Sequence, residues 1–309
     1  MDKVGELSVF VRVVEEGGFS SAARAMSLTP SAVSKQIGRL EDRLGVRLIN
    51  RTTRSLSLTP EGRSFFERCR SILTDIEDAE SVVTQSHSSP RGSLRITTGV
   101  AFGRHQITPL LPEFLERYPD VSIELIKTDS IVDLVEQGID AAIRFGELAD
   151  SSMVARFLAR SRRAIVAAPE YIEKYGVPKD PYDLANHNCL TFFSMPHLND
   201  WTFRIGEEEV PIQPTGNFSA NNGESIHDMV LNGAGIARLA EFLIAKEVQD
   251  GKLVRVLTDY YRDIEIPIHA VYPSRRHLSP KLRSFVDFLV EKFSPVPPWE
   301  KELSEIEQS

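Results

Sequence analysis

Apolar residues in the first eighty-odd positions recur at helical spacing, whereas beyond residue 92 they fall into short runs typical of strands. The clearest helical signal covers residues 30–44, where Val33, Ile37, Leu40 and Leu44 follow one another at intervals of four, three and four. Thr29 supplies a cap, Pro30 suits the first helical turn, and Gly45 supplies a stop. Upstream, Ala22, Ala23, Ala25 and Met26 predict a short helix whose small side chains let a second helix approach. Leu7, Phe10, Val11 and Val14 line an opening helix that completes a three-helix core. Downstream, VRLINRTTRSLSLT carries two short alternating runs about a basic tip, the pattern of a β-hairpin.

A second helix start stands at Thr59-Pro60-Glu61. Phe65, Cys69, Ile72, Ile76, Ala79 and Val83 then form a heptad-like seam, widened by Phe66, Leu73 and Val82. Such a seam serves either a helix packed on its own domain or a dimerising linker; the polar opposite face and the position between two modules favour the linker. Cys69 on the seam reads as a small buried hydrophobe. His87–Gly92 breaks the helix.

Beyond the break, SLRITT, VSIELIK and IDAAIRF read as strands, with helices expected near Gln106–Arg117 and over SIVDLVEQG. RRAIVAA, a helix near Tyr182–Asn186, CLTFF, the hairpin WTFRIGEEEVPI, GNFSA, the helix ESIHDMVLNG and the strand GIARLA follow. EIPIHAVY is a returning strand and SPKLRSFVDFLVEKF a closing helix. This alternation predicts an α/β region with a parallel sheet covered by helices. Residues 294–309, with the acid-rich PVPPWEKELSEIEQS, are expected to be a disordered tail.

Charge sharpens the reading of the first module. The chain carries a net charge of −8, yet residues 17–60 hold seven Lys or Arg against two acids. The face of helix 30–44 opposite its apolar stripe shows Ser31, Ser34, Lys35 and Gly38. Short hydrogen-bonding side chains with a cation suit a helix in a DNA major groove. A plain helical hairpin with a solvated face is the alternative, against which the hairpin and the local basic excess both weigh.

These residues resemble the N-terminal domain of LysR-type transcriptional regulators through FxxVxExGxFSxAA, LTPSAVSKQIxxLExxLGVxL and RTTRxLxLTxEG. VDLVEQGIDAAIRFGEL, SANNGESI and AVYPSRRHLSPKLRSFVDFLVEKF extend the resemblance to residue 293. The resemblance implies an all-α winged helix-turn-helix domain (residues 1–59), a linker and dimerisation helix (60–89) and an α/β two-lobed, type II periplasmic-binding-protein-like effector domain (90–293). Lobe one would take 91–161 and 268–293 and lobe two 162–267, with strands near 162–168 and 264–272 as the hinge. DNA contacts would come from Ser20, Thr29, Pro30, Ser31, Ser34, Lys35 and Arg39, and from the wing residues Arg51, Thr52, Thr53 and Arg54. The effector loops would be Gly99, Val100, Ala101 and Phe102; Ser130; Arg144 and Gly146; Phe193 and Ser194; and Asn221 and Asn222. For each loop residue, ordinary capping or turn chemistry is the alternative. Implied partners are double-stranded operator DNA, a small organic or aromatic acid and further copies of the chain, as homodimer or homotetramer. RNA polymerase is a further candidate partner.

Enzyme chemistry finds little support in the sequence. GAGIAR lacks the third glycine of a dinucleotide loop and stands between a helix and a strand in the wrong order. The seven histidines show no HExxH spacing, so neither a metal nor a cofactor is expected. Asn186-His187-Asn188-Cys189 offers no activated nucleophile. The start lacks the form of a signal peptide, no apolar run approaches the ~18 residues of a membrane span, and two separated cysteines fit a reduced compartment. The expectation is a cytoplasmic regulator; a stand-alone solute-binding protein is the runner-up, disfavoured by the basic module.

Overall fold

The computed structural model describes residues 3–51, 56–84, 89–146, 153–261, 265–273 and 278–306. Its contacts divide the chain into two units, residues 1–88 with Val132–Ile139 and residues 89–131 with 140–309.

The first unit begins with α1 (Lys3–Glu15), α2 (Phe19–Ala25) and α3 (Pro30–Leu44). Val9, Phe10, Val13, Ala22, Ala23, Val33, Ile37 and Leu40 are all buried together, so the three apolar stripes read from the sequence meet in one core. Thr29 Oγ1 accepts the Ala32 N–H at 3.2 Å, and Gly45 closes α3 in the left-handed region at φ 70°. β1 (Ile49–Arg51) and β2 (Leu56–Leu58) form the antiparallel wing. α4 (Pro60–Thr84) leaves it through Thr59, whose hydroxyl accepts the Gly62 N–H at 2.9 Å. Gly62 is required there: a Cβ would stand 2.0 Å from the Leu48 carbonyl oxygen.

The proposed seam on α4 divides. Cys69 is buried in the three-helix core, and Phe65 packs on it with its ring 5.6 Å from that of Phe10. These two residues therefore belong to their own domain, because the start of α4 lies against α1 and its apolar face is consumed there. Ile72 is 46% exposed and Ile76 half-buried. The side chains of Ala79 and Val83 lie outside the described residues.

The second unit holds β3 (Gly92–Thr98), then α5 (Val100–Phe102), which continues through a π turn (Gly103–Ile107) and a 3₁₀ turn (Thr108–Leu110) into α6 (Leu111–Arg117). β4 (Val121–Lys127), β5 (Ala141–Phe145), β6 (Met153–Ser161) and β7 (Arg163–Ala167) follow, then α7 (Pro169–Tyr175), β8 (Thr191–Phe192), β9 (Trp201–Ile205), β10 (Glu208–Ile212) and β11 (Ser219–Ala220). The chain goes on through α8 (Gly223–Leu231), β12 (Ile236–Ala240), α9 (Glu241–Gln249), β13 (Val254–Arg255), β14 (Ile266–Pro273), α10 (Pro280–Phe293) and α11 (Pro298–Ile306). One sheet has the order β4-β3-β5-β14-β6 and another β12-β7-β13. β3 runs parallel to β4 and β5, but β14 is antiparallel to β5 and β6, and β7 is antiparallel to both of its neighbours. The five-stranded sheet is thus mixed, because the returning strand β14 enters antiparallel from the far end of the chain, and the β12-β7-β13 sheet is antiparallel; neither is the all-parallel sheet expected. A third pairing, β8 with β11, is parallel.

Two segments fold otherwise than their composition suggests. SIVDLVEQG forms hydrogen-bonded turns and no regular helix. Asp133 Oδ1 accepts the N–H groups of Val135 and Glu136, and Leu134 is buried alone while Ile131 and Val135 are 94% and 65% exposed, so no continuous apolar stripe holds a helix. The C-terminal segment is not a disordered tail. α11 buries Trp299 completely against Phe102, Phe242 and Phe293, and its indole N–H donates to the Arg160 carbonyl at 3.2 Å. Among the described residues, no helix is long and apolar enough to cross a membrane.

Candidate DNA-reading and ligand-sensing sites

α3 separates its two faces cleanly. Val33, Ile37 and Leu40 are fully buried, which turns Ser31, Lys35 and Arg39 to solvent, with Ser34 half-buried between them. Ser20, in the first turn of α2, and Thr29 and Pro30, at the start of α3, are exposed. The Ser31 and Thr29 hydroxyls lie 3.1 Å apart. Arg43 is withdrawn from this face by Glu6, whose Oε2 accepts its Nη2 at 3.0 Å. Exposed donors and cations standing on a rigid, buried stripe can meet base edges and phosphates together. Arg51 contributes its backbone to the wing, and Thr52, Thr53 and Arg54 lie outside the described residues.

Glu41 is a residue the sequence reading did not single out. Its Oε1 accepts the N–H groups of Leu48 and Ile49 at 2.8 and 3.1 Å, so one carboxylate fixes the wing to the end of α3. An acid within a basic stretch, eight residues before a strand, was the available signal.

The expected ligand loops come together in the second unit. Ser194 Oγ donates to the Asn221 carbonyl at 3.1 Å, and a Cβ at Gly223 would stand 3.9 Å from that of Ala101. Phe193 is 64% exposed, its N–H bonded to Ala220. Gly146 sits at φ 90° beyond β5, donating to the Pro267 carbonyl. Arg144 near the end of β5 is half-buried, and burial lowers its pKa.

Several loop residues are engaged in ways that change their expected roles. Phe102 is 1% exposed, at the centre of an aromatic cluster with Phe145, Phe242, Phe293 and Trp299, so it is a core residue and not a cleft contact. The Val100 N–H is taken by Asp129 Oδ1 at 3.0 Å; burial raises the Asp129 pKa, partly offset by that hydrogen bond. The Ser130 N–H bonds the Thr128 hydroxyl. These amides are therefore not free for an anion, because neighbouring side chains already cap them. Asn222 is the N-cap of α8, accepting the Ser225 N–H at 2.9 Å while its amide donates to Asn221 Oδ1.

A cavity of about 400 Å³ opens elsewhere, lined by Arg162, Arg163, Glu241, Arg255, Tyr261 and Glu265. Its charges are internally matched: Arg162 and Arg160 both bond Glu265, and Arg255 Nη2 lies 3.1 Å from Glu241 Oε1. Burial still holds the Glu241 carboxyl above its ordinary range, against the opposing pull of Arg255 and Arg162.

Known proteins share this arrangement. Residues 4–63 match the helix-turn-helix domain described as a bacterial regulatory protein of the lysR family, and residues 87–294 match the LysR substrate binding domain. The chain is 41% identical over 287 residues to the HTH-type transcriptional regulator CrgA of Neisseria meningitidis, covering 93% of this chain and 96% of that one. It is 35% identical over 292 residues to the HTH-type transcriptional regulator DmlR of Escherichia coli, with 94% of each covered. The solved structure of CrgA superposes with a TM-score of 0.65 at 40% identity, covering 94% of this chain and 98% of that one. Full-length AphB of Vibrio cholerae gives 0.59 at 27% identity, with 94% and 99% covered. The two domains, their order and the full-length likeness lead to one conclusion: the chain belongs to the LysR-type family of helix-turn-helix transcriptional regulators.

Proposed function

We propose that α3 reads the operator through Ser31, Ser34, Lys35 and Arg39, with Ser20, Thr29 and Pro30 at its approach and the Arg51–Arg54 wing on the adjacent backbone or minor groove. The observation carrying this is the strict division of α3 into a buried apolar stripe and an exposed donor and cation face. The experiment is anisotropy on duplex DNA over a range of salt. Loss of Lys35 should flatten the log–log slope by ~1 unit, while Ser34→Ala should alter which sequences are preferred.

The second domain senses a small organic or aromatic acid. The free-amide route is closed by Asp129, so recognition of the acid rests on the half-buried Arg144, with Asn221, Asn222 and Ser194 supplying polar contacts. The runner-up, a solute-binding protein without DNA, leaves the exposed face of α3 without a role.

Dimerisation of α4 uses Ile72 and Ile76 and the residues beyond, since Phe65 and Cys69 are committed to the core. Dimer and dimer of dimers are both compatible with that face. The regulator works in the cytoplasm, with RNA polymerase as a candidate contact. A thermal-shift screen of the full chain against small carboxylates tests the sensing role, since a ligand that binds only the native state raises Tm.

A further inference from the structure

The π turn Gly103–Ile107 brings His105 against α8 and α9. His105 Nε2 lies 3.1 Å from both Oε1 and Oε2 of Glu224. One turn along α8 from Glu224, His227 presents its ring to the same point, 5.7 Å centroid to centroid from His105. A ligand atom from each of these three residues lies within 4.8 Å of the others. π turns insert one extra residue into a helix and recur at functional sites; here the turn carries a histidine to a carboxylate 119 positions away.

His227 makes this more than a hydrogen-bonded pair. It is 3% exposed, yet neither ring nitrogen has a hydrogen-bond partner among the described residues. Buried polar groups are nearly always satisfied, and an exception in a native fold asks for a ligand, an ion or a water. Glu247 of α9 comes no closer than 3.7 Å to His227 Nε2. The remaining charge at the site is Arg104, whose Nη1 lies 2.6 Å from Glu224 Oε1 and leaves Oε2 available.

We propose that His105, Glu224 and His227 form a binding site for a divalent transition ion of the zinc class. Two neutral imidazoles and one carboxylate match the borderline donor preference of such ions, and three protein ligands leave a fourth position for solvent. Ligand atoms at ~2.0–2.1 Å from a tetrahedral ion stand about 3.4 Å apart. The His105–Glu224 distance already meets that spacing, and His227 closes by a small side-chain rotation. Glu247, beside His227, offsets the ion's second positive charge and orients the ring. The two carboxylates against Arg104 leave the pocket net negative before the ion binds. A bound ion would cross-link the π turn after α5 to α8, directly behind Asn221 and Asn222.

The test is titration of the full-length, chelator-treated protein with Zn²⁺ and with Co²⁺, whose visible absorption reports coordination. The result expected is one equivalent bound, with a Co²⁺ spectrum of nitrogen and oxygen ligands and a rise in Tm. His105→Gln, on a side chain 25% exposed, should weaken binding at least ~10-fold while keeping a cooperative melt, and Glu224→Gln likewise. His197→Gln, at an exposed and remote histidine, should bind as wild type. Absence of stoichiometric binding by the wild-type protein overturns the proposal. So does undiminished affinity in His105→Gln, or a loss in His197→Gln that matches it.

Discussion

Glu41 Oε1 accepts the backbone N–H of Leu48 at 2.8 Å, joining the last turn of α3 to the residue that leads into β1 of the wing. The same oxygen takes the Ile49 N–H at 3.1 Å. This acid in the basic module is thus structural: it fixes the wing to the end of α3. Glu41→Leu leaves two N–H groups without their acceptor and should cost ~1–3 kcal/mol of stability. Its DNA affinity should fall at every sequence with the salt slope kept. Denaturant unfolding and anisotropy check the two halves, and a variant with normal stability and affinity would remove the link.

Lys35 and Arg39 stand exposed on α3, while Arg43 is held by Glu6. Charge removal should therefore act unequally. Lys35→Ala and Arg39→Ala should each lower the salt dependence by ~1 unit of slope, and Arg43→Ala should lower folding stability more than it lowers that slope. Equal slopes for all three variants would contradict this division.

Trp299 is fully buried among Phe102, Phe242 and Phe293, so the C-terminal helix completes the core of the second domain. Trp299→Ala should cost ~3–5 kcal/mol, read by chemical unfolding of the full chain. A chain ending at residue 294 should also melt lower. Unchanged stability of either would return α11 to the role of a tail.

Burial pushes the thiols of Cys69 and Cys189 up to about 12 each, against a smaller pull from Arg43 at Cys69. At pH 8 both stay protonated, and the thiolate is the reactive form. The native protein should show no fast reaction with an aromatic disulfide reagent, and two thiols should appear on unfolding. Rapid modification of either residue in the native protein would show that its surroundings open.

Helices were the most legible part of the sequence. Val33, Ile37 and Leu40 announced the buried face of α3, and the caps at Thr29 and Gly45 fixed its ends, because those signals are local. What escaped was long-range. The heptad pattern of α4 could not tell that Phe65 and Cys69 face α1 and not another chain, since periodicity gives a face but not its partner. The acidic composition after Pro295 hid a Trp299–Leu303 stripe one turn apart, which is invisible until the aromatic cluster it fills is known. Phe102 looked like a loop residue at a strand end, but its ring turns inward. Glu224 and His227 stand three positions apart on α8, but nothing in the sequence ties them to His105, which is 119 positions from Glu224.

Ile72 is the exposed apolar residue on α4 that follows the part consumed by the core, with half-buried Ile76 one turn on. Ile72→Asp and Ile76→Asp should both weaken self-association while leaving the core of the first unit folded. Sedimentation velocity checks the outcome; an unchanged oligomer in both variants would move the interface off this helix.

Sequence-specific recognition of duplex DNA by α3 is tested by selection from a random duplex pool with the full-length protein. The wild type should enrich two related half-sites whose centres lie about one helical turn, ~34 Å, or a multiple of it apart. A Ser31→Ala, Ser34→Ala double variant should change the bases enriched while keeping the spacing. Enrichment of no sequence by the wild type, or of the identical sequence by the variant, would show that α3 does not read the bases through Ser31 and Ser34.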